Sequence, residues 1–567
     1  MELNKILVDE QNGFRASRSC IDHIFVLISV LRNRKEMGKE SFLAFIDYKK
    51  AFDSVDRNLL LYKLSKIGIC GKMYKAISSL YASPKSRVVL NNDIETEYFE
   101  CPMGVKQGDC LSPTLFAIFI TDLAKEIKNS GLGIDLNIEG GPNIEQMISI
   151  LLYADDIVCL ADNENDLQGI LFIVECWCKR WRLEVNLSKT NILHVRCKRK
   201  QQSKFVFLFD RKPVPYCKNY KYLGVNIDEF LNFNFTVEKH AEAAGRALAV
   251  VLTKMIKNGG FPYNLFSLLY HSCVTSISDY SGPITGFSEY ESLMKVHLRA
   301  IRAFLGLTKN ACTAGVLSEV DFELPKYRTN IQMVRHYNRI LSMEDHRLTK
   351  KIYLWDRALN ERNIVSTWSN EIKDIFIQCN LEAIFNSNTK FNQQYVIDKM
   401  KACFKESQIA YLTDECSQKP KLRTFVTFKN FEEQASYITK PLMFYHRRNL
   451  ARIRLGCLPL RIETGRYSIP RMPETERTCL VCKIPAAELE DAGDSSTPIE
   501  SEIHFLFECK AYSAERGIWY QKMNLPNNFS DLPSEEKLRL TLNHACNVKF
   551  TAQFITAALN ARSKIMK

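Results

Sequence analysis

Residues 148–160 read ISILLYADDIVCL and combine two apolar halves with a short acidic centre. The apolar halves are predicted to be neighbouring strands, because the four residues from Tyr153 to Asp156 are enough to form the turn between them. A carboxylate beside buried strands is unfavourable unless a cation or hydrogen bonds compensate its charge. The stretch therefore predicts a buried hairpin with Asp155 and Asp156 at its tip, although an Asp-Asp pair taken alone is more often an ordinary polar turn.

A second acidic position lies far upstream, in residues 41–56, which read SFLAFIDYKKAFDSVD. Ser41 to Tyr48 has the pattern of a short buried strand, and Asp47 lies at its end. Three carboxylates that converge from strand ends suit Mg²⁺, which prefers oxygen ligands and binds phosphate oxygens in its remaining positions. Two such ions clamp the attacking and leaving oxygens of a phosphoryl transfer. Asp47, Asp155 and Asp156 are therefore candidate metal ligands.

Between these acidic stretches, residues 104–113 read GVKQGDCLSP and form a glycine-flanked loop that leads into an apolar helix. Glycine lets the backbone approach a ligand closely, and a helix start favours phosphate. The surrounding pattern alternates strands and helices and predicts an α+β region. Expected helices are 57–67, 113–127 and 166–181, and further strands are expected near Leu183, near Ile192 and at 205–209.

Taken in order, these motifs resemble the reverse transcriptases of non-LTR (LINE-type) retrotransposons over roughly residues 9–310. The segments that carry the resemblance are Gln11 to Arg15 with Ser19 and Asp22, FIDYKKAFDSVD at 45–56, GVKQGDCLSP at 104–113, YADD at 153–156, NLSKT at 186–190 and YKYLG at 220–224. Their combination in this order is highly specific. A group II intron maturase shares YADD but lacks the Cys/His pattern of this C-terminal region.

The resemblance implies a role for each matching position. Asp47 and Asp155 would ligate two Mg²⁺ ions with the Tyr48 carbonyl, and Asp156 would bind more loosely. Phe52 would exclude a ribose 2′-OH, and Lys189 would protonate the leaving pyrophosphate. The remaining positions would contact nucleic acid. Gln107 and Gly108 would contact the template, and Tyr222 and Leu223 would hold the primer end. Without the resemblance, Phe52 would be interpreted more simply as a core packing residue. Lys189 would be interpreted as an ordinary surface lysine.

The C-terminal region carries a separate Cys/His pattern, in which Cys479 and Cys482 are followed by His504 and Cys509. A Cys-x2-Cys pair completed by a later His and Cys is typical of a tetrahedral structural zinc site. The resemblance supports this, since many LINE-type proteins carry such an element after the polymerase. Residues 484–502 contain acids and no base and are expected to be an exposed insertion. The alternative is a chance spacing among the 19 cysteines and 10 histidines.

Composition limits the class of protein. The chain has 567 residues, 46% hydrophobic, and a formal net charge of +13, which excludes wholesale disorder and favours a polyanionic partner. The 19 cysteines are too sparse for a disulfide scaffold, so most are expected to be reduced thiols. No signal peptide or membrane-length apolar run is evident, so we expect a cytoplasmic and nuclear protein without a membrane partner.

Basic residues concentrate in two places. One is 191–222, where Asp210 is the only acid, and its cluster Arg196 to Lys200 could be read as a nuclear localisation signal or as a solvated loop. The other is 441–483, where basic and apolar residues alternate around Arg447, Arg448, Arg452 and Arg454. This pattern predicts either a helix that lies along nucleic acid with its other face in a core, or a solvated amphipathic helix. Phosphate contacts of this kind supply sequence-independent, salt-sensitive affinity.

The resulting prediction is a right-hand polymerase of the α+β class, with a small zinc-binding C-terminal module. We expect partial fingers and palm at 1–228, a helical thumb at 229–310, a helical connector at 311–440, and an Arg-rich, Cys/His-bearing region at 441–567. The reaction would be extension of a DNA primer by dNTPs on an RNA template. Because the earlier fingers block and an endonuclease are missing, the chain is expected to be N-terminally truncated. The alternative function is an inactive remnant that only binds nucleic acid.

Overall fold

A computed structural model describes residues 6–91, 94–137, 147–482 and 498–566. The chain divides into two compact units. The sheet unit comprises Met1–Thr236, Ser281–Phe287 and Gln332–Gln393, and the helical unit comprises Val237–Tyr280, Ser288–Ile331 and Gln394–Lys567. Because the units interleave along the chain, the four consecutive domains expected from sequence stay a prediction.

The sheet unit is built on five strands in the spatial order β5-β4-β1-β3-β2. The strands are β1 (Ser41–Ile46), β2 (Ile150–Tyr153), β3 (Asp156–Ala161), β4 (Asn191–Val195) and β5 (Tyr216–Cys217). All neighbours are antiparallel except β4 and β5, which are parallel. Every residue of β1 is buried, which explains its unbroken apolar sequence.

Two long apolar helices support this sheet, α2 (Ser112–Asn129) and α3 (Glu164–Trp181), and a third, α1 (Cys20–Glu36), packs against β2. Pro113 lies in the first turn of α2, where its missing N–H has no intrahelical partner to lose. Ser19 and Asp22 cap α1 reciprocally, so these two residues of the N-terminal motif stabilise a helix start. The helices and strands expected from periodicity are confirmed, except that Leu183 lies outside a strand and the 205–209 strand is shortened to Leu208–Phe209.

A separate hairpin follows β5 and is formed by β6 (Asn219–Tyr222) and β7 (Val225–Asp228). Short strand pairs elsewhere in this unit are Lys85–Ser86 with Phe99–Glu100, Val89–Asn91 with Ile94–Glu95, Ile134–Asp135 with Met147–Ile148, and Leu208–Phe209 with Lys212–Pro213. Its other helices are Arg57–Lys66, Gly71–Ala82, Gly282–Thr285, Leu348–Glu361, Trp368–Gln378 and Glu382–Ser387. Unit boundaries fall inside the helices Phe233–Lys257, Pro325–Leu341 and Gln393–Ser417.

The helical unit has a single extended hydrophobic core. Its longer helices are Tyr263–Leu269 continued by Tyr270–Thr275 and Ser276–Ser278, Glu291–Leu305, Thr313–Glu319, α4 (Phe444–Arg454), Ser513–Lys522 and Val548–Ile565. Shorter turns are Pro420–Leu422, Phe425–Phe428, Arg461–Thr464, Glu474–Glu476, His504–Glu508, Lys510–Tyr512, Phe529–Asp531, Ser534–Leu538 and Arg539–Asn543. Within the described residues of this unit, extended pairing is limited to the bridge between Thr478 and Ile499.

The Cys/His region is part of that core. Cys479, Val481 and Phe505 belong to the same buried cluster as Phe304 and Leu450. These residues therefore share apolar contacts with neighbouring helices of the helical unit, and the small zinc-binding C-terminal module stays a prediction. In the described part of the chain, no helix is both long and apolar enough to cross a membrane.

Candidate active site

The three aspartates lie at one end of the central sheet. Ile46 at the end of β1 pairs with Ile157 of β3, so Asp47 and Asp156 follow at the next position of the two antiparallel strands. Tyr153 pairs with Asp156, which leaves Ala154 and Asp155 as the two-residue turn between β2 and β3. The hairpin predicted from the YADD stretch is therefore confirmed.

Electrostatic coupling joins these carboxyl groups. Desolvation raises the pKa of Asp155, and the charge of Asp47 raises it further. Desolvation also raises the pKa of Asp156 to about 6, with added contributions from Asp155 and Asp47. Such shifts, caused by burial and like charges together, are typical of functional carboxylates.

The three aspartates follow neighbouring strand ends, and the charges of their neighbours contribute to the raised pKa values of Asp155 and Asp156. Their mutual influence on pKa is therefore the evidence for proximity, and their assignment as metal ligands stays a prediction.

Residues 186–190 wrap around Asp47. The Asn186 amide donates to Asp47 Oδ2 at 3.1 Å, and the Asn186 N–H donates to the Asp47 carbonyl at 2.7 Å. The Asp47 N–H donates to Thr190 Oγ1 at 3.3 Å. Lys189 Nζ lies 3.9 Å from Asp47 Oδ2, and its side chain is 68% exposed. Asn186 thus orients the Asp47 carboxylate, a role that the sequence motif alone did not indicate.

Phe52 lies on the loop that follows β1 and Asp47. Its ring stacks on Phe116 of α2 with centroids 4.7 Å apart, and it remains half-buried. The adjacent Tyr48 side chain is buried, with its hydroxyl 4.0 Å from Cys178 Sγ. Phe52 therefore packs against the core, and its role in excluding a ribose 2′-OH stays a prediction.

The glycine-flanked loop packs on the loop that follows β1. The Val105 N–H donates to the Phe52 carbonyl at 2.8 Å. A Cβ on Gly104 would lie 2.6 Å from the Asp53 carbonyl oxygen, so only glycine permits this approach. The Gln107 amide donates to Asp53 Oδ2 at 3.3 Å, and both Gln107 and Gly108 are exposed. The two candidate template-binding residues therefore lie on an open surface near Phe52.

Tyr222 is buried, whereas the turn after it is accessible. The Tyr222 side chain is 2% exposed, and its hydroxyl lies 2.9 Å from His23 Nε2. Desolvation lowers the pKa of His23 to about 3, so this imidazole is neutral. Leu223 and Gly224 form the β6–β7 turn, both with positive φ. The Tyr222 ring is therefore enclosed by protein, whereas Leu223 and Gly224 of the turn are half-buried.

The predicted zinc ligands come together. The ligand atoms of Cys479, Cys482, His504 and Cys509 all lie within 4.8 Å of one another. Cys482 Sγ is 3.4 Å from both His504 Nε2 and Cys509 Sγ. Hydrogen bonds from Cys509 and His504 lower the pKa of the Cys479 thiol. Glu508 Oε2 lies 3.4 Å from His504 Nδ1, the kind of outer contact that orients a metal-binding histidine.

The acidic insertion is only partly described, because residues 483–497 lie outside the described ranges. Glu500 and Glu502 contradict its expected exposure, since both are buried. Glu500 pairs with Arg562, and Glu502 pairs with Arg423 at 2.7 Å. Arginine partners elsewhere in the helical unit compensate these charges, which composition within 484–502 could not reveal.

Several basic residues assigned to nucleic acid are buried. Arg447 donates to the carbonyls of Phe304 and Phe261, each at 3.0 Å, and Arg454 pairs with Glu319 at 2.8 Å. Arg196, in the other basic stretch, pairs with Glu229 at 2.8 Å. These three arginines therefore stabilise the fold and are not free to bind phosphate.

Known protein families and relatives match mainly the first part of the chain, which lies in the sheet unit. A family model described as reverse transcriptase (RNA-dependent DNA polymerase) matches residues 1–227. The chain is 25% identical over 269 residues to the RNA-directed DNA polymerase from mobile element jockey of Drosophila funebris, covering 45% of this chain and 27% of that protein. It is 26% identical over 191 residues to the retrovirus-related Pol polyprotein from type-1 retrotransposable element R2 of Nasonia vitripennis, covering 33% of this chain and 18% of that protein.

Among solved structures, apo telomerase from Candida tropicalis aligns with a TM-score of 0.30 at 11% identity, covering 70% of this chain and 59% of that chain. The chain spans less than a third of the length of the two element proteins. The matched region contains the aspartate hairpin, the glycine-flanked loop and the β6–β7 hairpin almost in full. Residues 1–227 therefore match the reverse transcriptase family, and the chain is similar to RNA-directed DNA polymerases of non-LTR retrotransposons.

Proposed function

We propose that this chain is an RNA-directed DNA polymerase that extends a DNA 3′-OH with dNTPs on an RNA template and releases pyrophosphate. The observation that carries the proposal is the coupling of Asp47, Asp155 and Asp156 at one sheet end inside the matched reverse transcriptase region. The proposed architecture is a right hand. It would have fingers and palm at 1–228, a thumb at 229–310, a connector at 311–440 and a zinc-bearing region at 441–567.

The donor set fits Mg²⁺. Asp47 and Asp155, with the Tyr48 carbonyl, would hold two ions, and Asp156 would bind more loosely; all are hard oxygen ligands. Neighbouring carboxylates raise the pKa of both Asp155 and Asp156, and a cation would relieve this repulsion. When bound, two such ions clamp the attacking and leaving oxygens of nucleotidyl transfer.

The remaining residues would select and position the substrates. Phe52, whose ring is half-buried, would exclude a ribose 2′-OH, and the exposed Lys189 would protonate the leaving pyrophosphate. Gln107 and Gly108 would contact the template from their exposed loop. The Leu223 turn would hold the primer end, with Tyr222 as its buried support.

A primer-extension assay tests the proposal. The full chain should extend oligo(dT) on poly(rA) with dTTP and Mg²⁺, and Asp155→Asn should abolish extension while retaining template binding. Asp345→Asn, which replaces an exposed aspartate of the same unit, is the matched control and should extend normally. Template binding without extension by the unsubstituted chain would instead support a protein that only binds nucleic acid.

We also propose that Cys479, Cys482, His504 and Cys509 hold one structural Zn²⁺. Three thiolates and one imidazole form a ligand set typical of structural zinc, and their clustering in the core would make metal binding contribute to folding. Elemental analysis of the full chain should find one equivalent of zinc, and Cys479→Ser with Cys509→Ser should lose it. Cys457→Ser, which replaces a nearby cysteine outside the cluster, should keep it.

A further inference from the structure

The segment Glu10–Gly13 runs along the edge of the central sheet, beside β2. Gln11 and Leu152 form a parallel bridge. The Asn12 N–H donates to the Leu152 carbonyl at 2.9 Å, and the Leu152 N–H donates to the Glu10 carbonyl at 3.0 Å. The segment therefore acts as a short extra strand that leads directly to the turn between β2 and β3.

The Gln11 side chain binds the backbone of that turn. It is fully buried, and its Oε1 accepts the N–H of Ala154 at 3.0 Å and the N–H of Gly13 at 2.8 Å. Its Nε2 lies 3.5 Å from the Ala154 carbonyl. A Cβ on Gly13 would lie 2.3 Å from the Ala154 nitrogen, so the segment approaches as closely as glycine allows.

Ala154 needs such support because its backbone has φ of +57°, in the left-handed region that side chains with a Cβ disfavour. It directly precedes Asp155 and Asp156, so its backbone conformation sets where both carboxylates point. A strained backbone conformation of this kind persists in a folded protein only where several surrounding contacts hold it in place. Gln11 supplies that constraint through both polar groups of its amide.

We propose that Gln11 is a positioning residue that holds the Ala154 turn and thereby the carboxylates of Asp155 and Asp156 for metal binding. The proposal rests on the proposed function only in taking these carboxylates as metal ligands. Gln11 itself is buried and acts on the turn through the Ala154 backbone.

Hydrogen exchange and Mn²⁺ binding by the full chain test this role. Gln11→Met removes the acceptor at equal length, and Gln11→Glu keeps an acceptor oxygen. Gln168→Met is the matched control, since the Gln168 amide binds both backbone groups of Leu208 in the same unit, with distances of 2.8 and 2.9 Å. Loss of a local constraint accelerates exchange only where the structure opens.

In Gln11→Met, exchange at the Ala154 amide should rise by about tenfold or more while β1 and β4 keep their protection. The Kd of the Gln11→Met variant for Mn²⁺ should rise in parallel by about tenfold. Gln11→Glu should restore most of the exchange protection at Ala154 and most of the Mn²⁺ affinity. Gln168→Met should change exchange only near Leu208. Unchanged exchange at Ala154, or equal acceleration throughout β1, would overturn the positioning role. Absence of Mn²⁺ binding by the unsubstituted chain would contradict the proposed function instead, because the exchange measurement alone decides whether Gln11 holds the turn.

Discussion

Ionisation of Asp155 and Asp156 is less favourable in the folded chain than in the unfolded chain, because desolvation and neighbouring carboxylates raise the pKa of both side chains. A carboxyl group with a raised folded pKa contributes stability that is fully present below its unfolded pKa. That contribution is lost as the pH rises through the folded value, which is about 6 for Asp156. The metal-free turn is therefore destabilised at neutral pH.

Asp156→Asn should consequently raise the melting temperature of the chain at pH 7 in EDTA, by about 1–3 °C, since it relieves repulsion at a functional site. The gain should disappear below a pH of about 4, where both carboxyl groups are neutral. Thermal melts across this pH range provide the measurement, and Asp345→Asn should show no such pH-dependent gain. A lower melting temperature at pH 7 than that of the unsubstituted chain would contradict the electrostatic account.

The proposed role of Phe52 can be tested through the sugar of the nucleotide that the chain incorporates. Phe52→Val should increase incorporation of ribonucleotides relative to deoxynucleotides by about tenfold or more, because the smaller side chain leaves room for a 2′-OH. Single-nucleotide extension with dTTP and UTP measures the ratio. Phe116→Leu, which alters the ring that stacks on Phe52, controls for loss of packing. Unchanged discrimination in Phe52→Val would leave Phe52 as a packing residue.

At the level of secondary structure, α4 carries both exposed and buried arginines. Its Arg454 forms a fully buried pair with Glu319, and Tyr437 donates to the same carboxylate at 2.6 Å. Burial alone would raise the pKa of Glu319, but Arg454 and Lys429 more than offset this, so the pKa is lowered. A helix that seemed suited to nucleic acid therefore uses part of its charge inside the core.

Removing one partner of this pair should be costly. Glu319→Gln should lower the free energy of unfolding by about 3 kcal/mol, because it leaves the buried Arg454 guanidinium without a counter-charge. Denaturant titration measures the loss. Arg448→Met, at an exposed position of the same helix, should change stability by less than about 0.5 kcal/mol. Equal effects of both substitutions would show that the buried pair has no special role.

Sequence periodicity predicted the elements around the site because each motif lies at a strand or helix end. Asp47 follows an all-buried strand, and α2 begins beside Pro113, so local pattern was sufficient there. Contacts between distant segments could not be predicted in the same way. Gln11 reaches Ala154, and Arg562 reaches Glu500, only after the chain has folded. Local composition therefore misjudged the exposure of Glu500 and left Gln11 without a role.

For the whole molecule, the net charge of +13 overstates the charge available for binding. Arg196, Arg447 and Arg454 are all buried. Exposed cations remain in the stretch 191–222, at Lys198, Arg199, Lys200, Lys204, Arg211, Lys212, Lys218 and Lys221. These exposed residues are the candidates for sequence-independent binding of nucleic acid in this stretch.

Salt dependence tests these candidates. Replacing Lys198 and Arg199 with glutamine should reduce the slope of log Kd against log salt concentration by about 1–2, because each phosphate that is no longer neutralised lowers the slope by roughly one. Fluorescence anisotropy with an unstructured RNA provides the measurement. Lys295→Gln removes an exposed lysine that already pairs with Glu291 at 2.9 Å, and it should leave the slope unchanged. Equal slopes for all three proteins would exclude the 191–222 surface from RNA binding.

The central claim is that the Asp47, Asp155 and Asp156 carboxylates form the metal centre of a polymerase. Anomalous scattering from Mn²⁺ in crystals of the full chain with an RNA template, a DNA primer and a non-hydrolysable dNTP tests it most directly. The account predicts two Mn²⁺ peaks about 4 Å apart, both bound by Asp47 and Asp155 and absent from Asp155→Asn. Manganese bound elsewhere, with these carboxylates free of metal beside an ordered nucleotide, would contradict it.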